Sequence, residues 1–164
     1  MFLDGAGSLI TNAGSTDTAA VTVTGDSVTK NNLNISTAST TGGGRIALRW
    51  KGAFGNAENV RIVNSDSTGT EISGRYFVAS RLVVSAADKR GIYLNAGQAT
   101  LNTPIISSTD TSLVFSSAAD SCRVISGSMG HISLAAGATK EAVVGTHYGT
   151  LFDGASEVTG AGNP

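Results

Sequence analysis

CRVISGSMGHISLAAGATKEAVVGTHYGTLFD, residues Cys122–Asp153, contains two consecutive units with the same layout of apolar and turn residues. Val124-Ile125 returns as Val143-Val144, and Ile132 and Leu134 return as Leu151 and Asp153, all at a spacing of 19. A period of about twenty residues, with two short strand-like runs per unit and Gly or Ser between them, is the sequence form of one solenoid coil.

The layout continues upstream. The first apolar pair runs Ile62-Val63, Val83-Val84, Ile105-Ile106, Val124-Ile125, Val143-Val144, in steps of 21, 22, 19 and 19. The second series runs Ile72, Ile92, Leu113, Ile132, Leu151, in steps of 20, 21, 19 and 19. Its partners two residues later are Gly74, Leu94, Phe115, Leu134 and Asp153. Two series in step over five units predict five stacked coils over Asn59–Asp153. Helices do not fit: the runs are short and rich in Val, Ile and Thr, and Gly, Ser, Asn and Asp separate them. Parallel strands of successive coils, about 4.8 Å apart, would bury together what one coil cannot bury alone. The expected fold is therefore all-β, a parallel β-helix with coils of about 19–22 residues, right-handed by the usual crossover preference.

The chain has 164 residues, which by length is one domain, and no apolar run approaches the roughly 18 residues of a membrane span. MFLDGAGSLI has no basic residue ahead of its apolar run and so does not read as a secretory signal. The expectation is a soluble protein made in a cytoplasm. Charged residues are 14% of the chain, and Gly, Ser and Thr exceed a third of it, yet apolar residues reach 40% and are periodic, so a packed core is expected rather than disorder. A net charge of −1 argues against nucleic acid as a partner. The single cysteine, Cys122, excludes an internal disulfide and reads as a small core residue, and neither it nor His131 and His147 has metal-ligand spacing. No cofactor is expected.

Residues 1–58 do not share the later phase. Ala20 to Ile35 reads as strands around a Gly-Asp turn, and TTGGG, Thr40–Gly44, as a joint. This front segment is open to three readings: an extended arm, irregular first coils, or a separate attachment element. RIALRWK follows as the most amphipathic strand in the chain. Ile46, Leu48 and Trp50 fall on one face, and Arg45, Arg49 and Lys51 on the other. The ordinary reading is a half-buried strand with a solvated basic face; the sharper one is a docking face for an acidic partner or an anionic sugar. Gly52–Asn59 reads as a loop. Tyr93, between inward Ile92 and Leu94, should point outward, as should Val114, and an outward tyrosine can stack on a sugar or a neighbouring chain. Arg45, Arg49, Lys51 and Tyr93 are the candidate binding residues.

Asp66, Asp88 and Asp110 lie 22 residues apart. Stacked on successive coils they would stand about 5 Å apart, the carboxylate separation of retaining glycosidases. Asp is also a favoured turn residue, and a repeated turn repeats its Asp, so the preferred reading is a turn ladder without catalysis. The chain has no GxSxG, phosphate-cradling loop or nucleophile–base signature.

The last coils and the end, RVISGSMGHISLAAGATKEAVVGTHYGTLFDGASEVTGAGNP, resemble the closing coils of pectate-lyase-like right-handed β-helices of bacteriophage tailspikes and fibres. The resemblance covers Asn59–Pro164. It implies a virion protein on the particle exterior, assembled as a homotrimer with other virion proteins of tail or capsid. Several tailspikes cleave glycans along a lateral groove, but five to seven coils give a prism of only ~25–35 Å, short for such a groove. A non-enzymatic tail spike or fibre component that binds a host cell-surface glycan is therefore the leading expectation. A trimeric capsid decoration (cement) protein and a glycan depolymerase are the alternatives.

Overall fold

The computed structural model describes residues 2–4, 9–12, 19–37, 46–65, 67–108, 110–153 and 158–161. Every regular element among them is a strand, and every strand pair is parallel. The chain is a β-solenoid, as its period predicts, but each coil has three faces rather than two strand-like runs.

Face I is an eight-stranded sheet of Phe2–Asp4, Thr29–Asn31, Asn56–Glu58, Val78–Ser80, Thr100–Asn102, Arg123–Ile125, Glu141–Val144 and Val158–Ala161. Face II stacks Leu9–Asn12, Asn34–Thr37, Arg61–Asn64, Val83–Ala87 and Ile105–Ser108. Face III stacks Ala19–Val23, Ile46–Trp50, Thr68–Ile72, Arg90–Leu94 and Thr111–Phe115. In the last two coils faces II and III merge, because Ser128–Leu134 and His147–Asp153 each run through both without a break.

Five coils lie between Asn56 and Asp153, the number the period predicts, but the traced register needs correction at three points. Ile62 pairs with Val84 and Arg61 with Val83, so the first step of the first series is 22 residues and not 21. Ile62, Val84 and Ile106 line the interior of face II and continue into Met129. Val124 and Val143 instead stack on Leu101 in face I, so the first series crosses from one face to another after Ile106. The second series holds from Ile92 through Leu113 and Ile132 to Leu151. Below it, however, Ile92 sits against Thr70, and Ile72 against Leu94. Thr70 is fully buried in a column of Leu and Ile, which is why polarity alone misplaces that strand by two residues.

The same ladders continue into the front third. Thr29–Asn31 pairs with Asn56–Glu58, Asn34–Thr37 with Arg61–Asn64, and Ile46–Trp50 with Thr68–Ile72. The expected division between 1–58 and 59–164 is therefore no break in the pairing. Of the three readings, the described part of the segment takes the form of further coils with a longer period.

Two of the three corners are built alike wherever their residues are described. The turn from face III to face I uses Ser27, Phe54, Tyr76, Gln98, Ser121 and Lys140; the turn from I to II uses Asn32, Asn59, Arg81, Thr103, Ser126 and Gly145. All twelve have φ between 49° and 64°, the left-handed region that reverses chain direction within one residue. Both sets advance in the same steps, 27, 22, 22, 23 and 19. At the I–II corner the N–H of residues 32, 59, 81, 103 and 126 donates to a carbonyl of the next coil at 2.8–3.0 Å, so the corner itself belongs to the ladder.

The interior fills by complementary sizes. Trp50 is fully buried and packs against Phe77, ring centroids 5.0 Å apart. Gly55 makes the room: a Cβ there would lie 2.2 Å from Trp50 Nε1. Ile46, Leu48 and Trp50 face inward and Arg49 outward, as their alternation predicts. Cys122 is a core residue with no exposed surface.

Thr103 tests the corners. A β-branched residue at φ 49° is strained by roughly 1–2 kcal/mol, and its N–H bond to Ile125 is independent of its side chain. Thr103→Gly should raise the unfolding free energy by about 0.5–1 kcal/mol in urea titration; a decrease would mean the corner is not strained.

Candidate functional site

Two of the four candidate binding residues share one ladder. Arg49 and Tyr93 share the outer surface of face III, on a ladder that runs Thr22, Arg49, Glu71, Tyr93, Val114, Ser133, Phe152. Glu71 stands between them and takes Arg49 as an ion-pair partner, Nε to Oε2 at 3.2 Å. Arg49 is thus half of a neutral pair rather than part of a basic strip. Tyr93 is half-buried, with the Arg90 guanidinium over its ring at 4.9 Å. Lys51 is exposed on the corner beyond the strand, and Arg45 lies outside the described residues. Of the aspartate row, Asp66 also lies outside them. Asp88 and Asp110 are exposed at the corner between faces II and III, where the Asp88 N–H donates to Ser65 O at 3.0 Å.

The most distinctive surface feature lies on the III–I edge, in the stretch that reads as a loop from sequence. Phe54 and Tyr76 occupy successive corner positions, 60% and 45% exposed, with ring centroids 4.8 Å apart and planes 5° from parallel. Both have left-handed backbone, φ 54° and 56°. An aromatic residue is poorly suited to that conformation, and water gains nothing from an exposed pair of rings. Other coils place Ser, Gln or Lys here. Arg75 and Lys51, both exposed, are close to the pair in sequence, and Asp26 lies one coil below. The Asp26 carboxylate is fixed, since Oδ1 accepts the Ala53 N–H at 2.7 Å, while Ser27 N–H donates to Ala53 O at 2.8 Å. The signal in the sequence was the 22-residue step from Gly52-Ala53-Phe54 to Gly74-Arg75-Tyr76.

A second unusual group is inside. Glu141 follows the corner residue Lys140 and so takes the inward position that Val28, Gly55, Phe77, Ala99 and Cys122 take in earlier coils. It is 1% exposed, and its Oε2 accepts the Cys122 N–H at 2.9 Å. Oε1 has no hydrogen-bond partner among the described residues. Burial pushes its pKa up from 4.5 to about 7. Burial likewise pushes the Cys122 thiol up to about 12, which leaves it un-ionised and unreactive. At the other corner of the same coil, buried Thr146 accepts the Gly127 N–H at 3.2 Å. Both side chains satisfy inward-pointing amides of the coil below. Asp120, on the surface, is held below its ordinary value chiefly by the Thr139 hydroxyl, 2.8 Å away.

No protein-family model, curated protein sequence or solved structure matches the chain.

Glu141 sets a pH dependence. Its folded-state pKa lies above its unfolded value, so its contribution is fully present below about pH 4.5 and is lost as pH rises through about 7. Unfolding free energy should fall over that window by on the order of 2–3 kcal/mol. In Glu141→Gln this part of the pH profile should be flat; an unchanged profile in chemical denaturation would exclude Glu141 as its source.

Proposed function

We propose that the chain is a non-enzymatic virion surface component, a bacteriophage tail spike or tail fibre element that holds a host cell-surface glycan. The parallel β-solenoid and the resemblance of Asn59–Pro164 to closing tailspike coils support the virion setting. The observation that carries the adhesive role is the exposed Phe54–Tyr76 stack. Its backbone conformation is unfavourable for aromatics, its rings are left in water, and it lies on an edge that a long ligand can reach. Aromatic faces are also the protein groups best suited to the C–H face of a sugar ring.

Homotrimerisation belongs to this proposal. It rests on the tailspike resemblance together with outward apolar residues; Tyr93 and Val114 are only partly exposed, and more exposed apolar side chains lie on face I. Ile125 and Val144 pair directly on its outer surface, 36% and 45% exposed, and with Arg123 and Ala142 line a depression of about 240 Å³. This strip also favours the second reading, a capsid decoration protein seated against neighbouring subunits.

Three outcomes are expected of the purified protein. Light scattering should give three times the 16.5 kDa chain mass; a monomer at micromolar concentration would remove the trimer. The protein should bind the host's surface polysaccharide and leave its chain length unchanged, with Asp88→Asn behaving identically. Glycan shortened by the parent and spared by Asp88→Asn would replace this reading with a depolymerase. Electron microscopy of the particle should find the chain's density on the tail, and density on the capsid shell would favour decoration.

A further inference from the structure

The Phe54–Tyr76 stack has two ends, and they differ. Tyr76 covers one face of the Phe54 ring. The other face looks toward the preceding coil, where the same corner position is Ser27, too short to cover a ring. Beside Ser27 stands Asp26, exposed yet fixed to the aromatic corner through Ala53. One carboxylate oxygen is used in that bond. Asp26 also borders a depression of about 360 Å³, lined in part by the apolar Val23 and Val28. The open aromatic face thus stands next to a positioned acceptor.

Resting on the adhesive reading above, we propose that the open face of Phe54, with Asp26 and Ser27, forms the primary glycan subsite and takes one uncharged pyranose. The C–H face of the sugar lies on the ring and displaces water from both. Hydroxyls at the sugar's edge donate to Asp26 and exchange hydrogen bonds with Ser27. Tyr76 supports Phe54 from behind and does not touch the sugar. The carboxylate selects hydroxyl donors at the sugar's edge, which a neutral hexose or N-acetylhexosamine supplies, and glucuronate tests whether exposed Lys51 and Arg75 override that selection. The subsite thus lies on the III–I edge, away from the Arg49 surface of face III.

The test uses saturation-transfer NMR on the full chain, with methyl glycosides of glucose, galactose, mannose and N-acetylglucosamine, and with glucuronate. At least one neutral glycoside should receive saturation at its C–H face. Phe54→Gly should weaken that binding at least tenfold while the protein stays folded, because glycine suits φ 54°. Asp26→Asn, which keeps an oxygen for the Ala53 N–H, should weaken it several-fold. The subsite is refuted if no neutral glycoside binds, if Phe54→Gly binds as well as the parent, or if glucuronate alone binds. It is also refuted if Phe54→Gly dissociates an oligomer without altering sugar binding, since the stack would then be a contact between copies. Host-cell binding by the same proteins separates the two claims. A parent that binds cells equally with and without Phe54 keeps the adhesive role and loses this subsite; a parent that binds glycosides but not cells keeps the subsite and loses the role.

Discussion

One residue with left-handed backbone at each of two corners holds this solenoid in register. Its N–H is bonded to the next coil at Asn32, Asn59, Arg81, Thr103 and Ser126 of the I–II corner and at Ser27, Phe54, Gln98 and Ser121 of the III–I corner. A corner of that kind turns the chain without a loop, and its hydrogen bond fixes where the next coil must turn. The two corner sets advance in identical steps although coil length varies from 27 to 19 residues. Only face I and its two flanking corner residues keep a constant spacing; the variation lies between face III and its corner, where Trp50, Ile72 and Leu94 precede it more closely than Phe115 and Leu134 do, and above all at the third corner, between faces II and III. There the chain crosses from Thr37 to Ile46, or from Asn64 to Thr68, or passes straight through Ser128–Leu134. The cost of about a kilocalorie per strained corner residue is met by burial that only an aligned stack can achieve.

The same alignment explains the scarcity of charge. Outward residues of successive coils stand about 4.8 Å apart, so a repeated turn or strand that repeated a lysine or glutamate would stack like charges directly. The described charged neighbours alternate instead: Arg49 meets Glu71, and Glu58 meets Arg81 at 3.0 Å. Asparagine, which both donates and accepts, can stack on itself, as Asn32 and Asn59 do at 2.8 Å. Low charge and abundant Ser, Thr and Asn thus follow from ladder geometry rather than from any particular ligand.

Period and class were legible because the apolar alternation of faces II and III survives in most coils. Face I was not, because its inward residues include Ala57 and Ala79, which carry little apolar signal, and its later members Val124 and Val143 imitate face II. Thr70 shifted one strand because a buried hydroxyl reads as solvent-facing. Left-handed corners leave a weak trace, since Ser, Asn, Arg, Thr, Gln, Lys, Phe and Tyr all occupy them and only Gly145 carries the expected glycine. The aromatic stack was therefore invisible as a site until Phe54 and Tyr76 were known to hold equivalent positions. Cation spacing in RIALRWK gave the facing of Arg49 correctly, but could not reveal Glu71, which is 22 residues away and adjacent only through the ladder.

The variable third corner has a consequence for how such a chain can change. Face I and the corner residue on either side of it keep one spacing from coil to coil, so residues added or removed at the II–III edge leave that register intact. A segment grafted there would project sideways at a chosen height, with coils above and below it undisturbed. Each coil is in effect a shelf of fixed spacing with one side open to insertion, and new surface features can be acquired one at a time along that edge without the scaffold being redesigned.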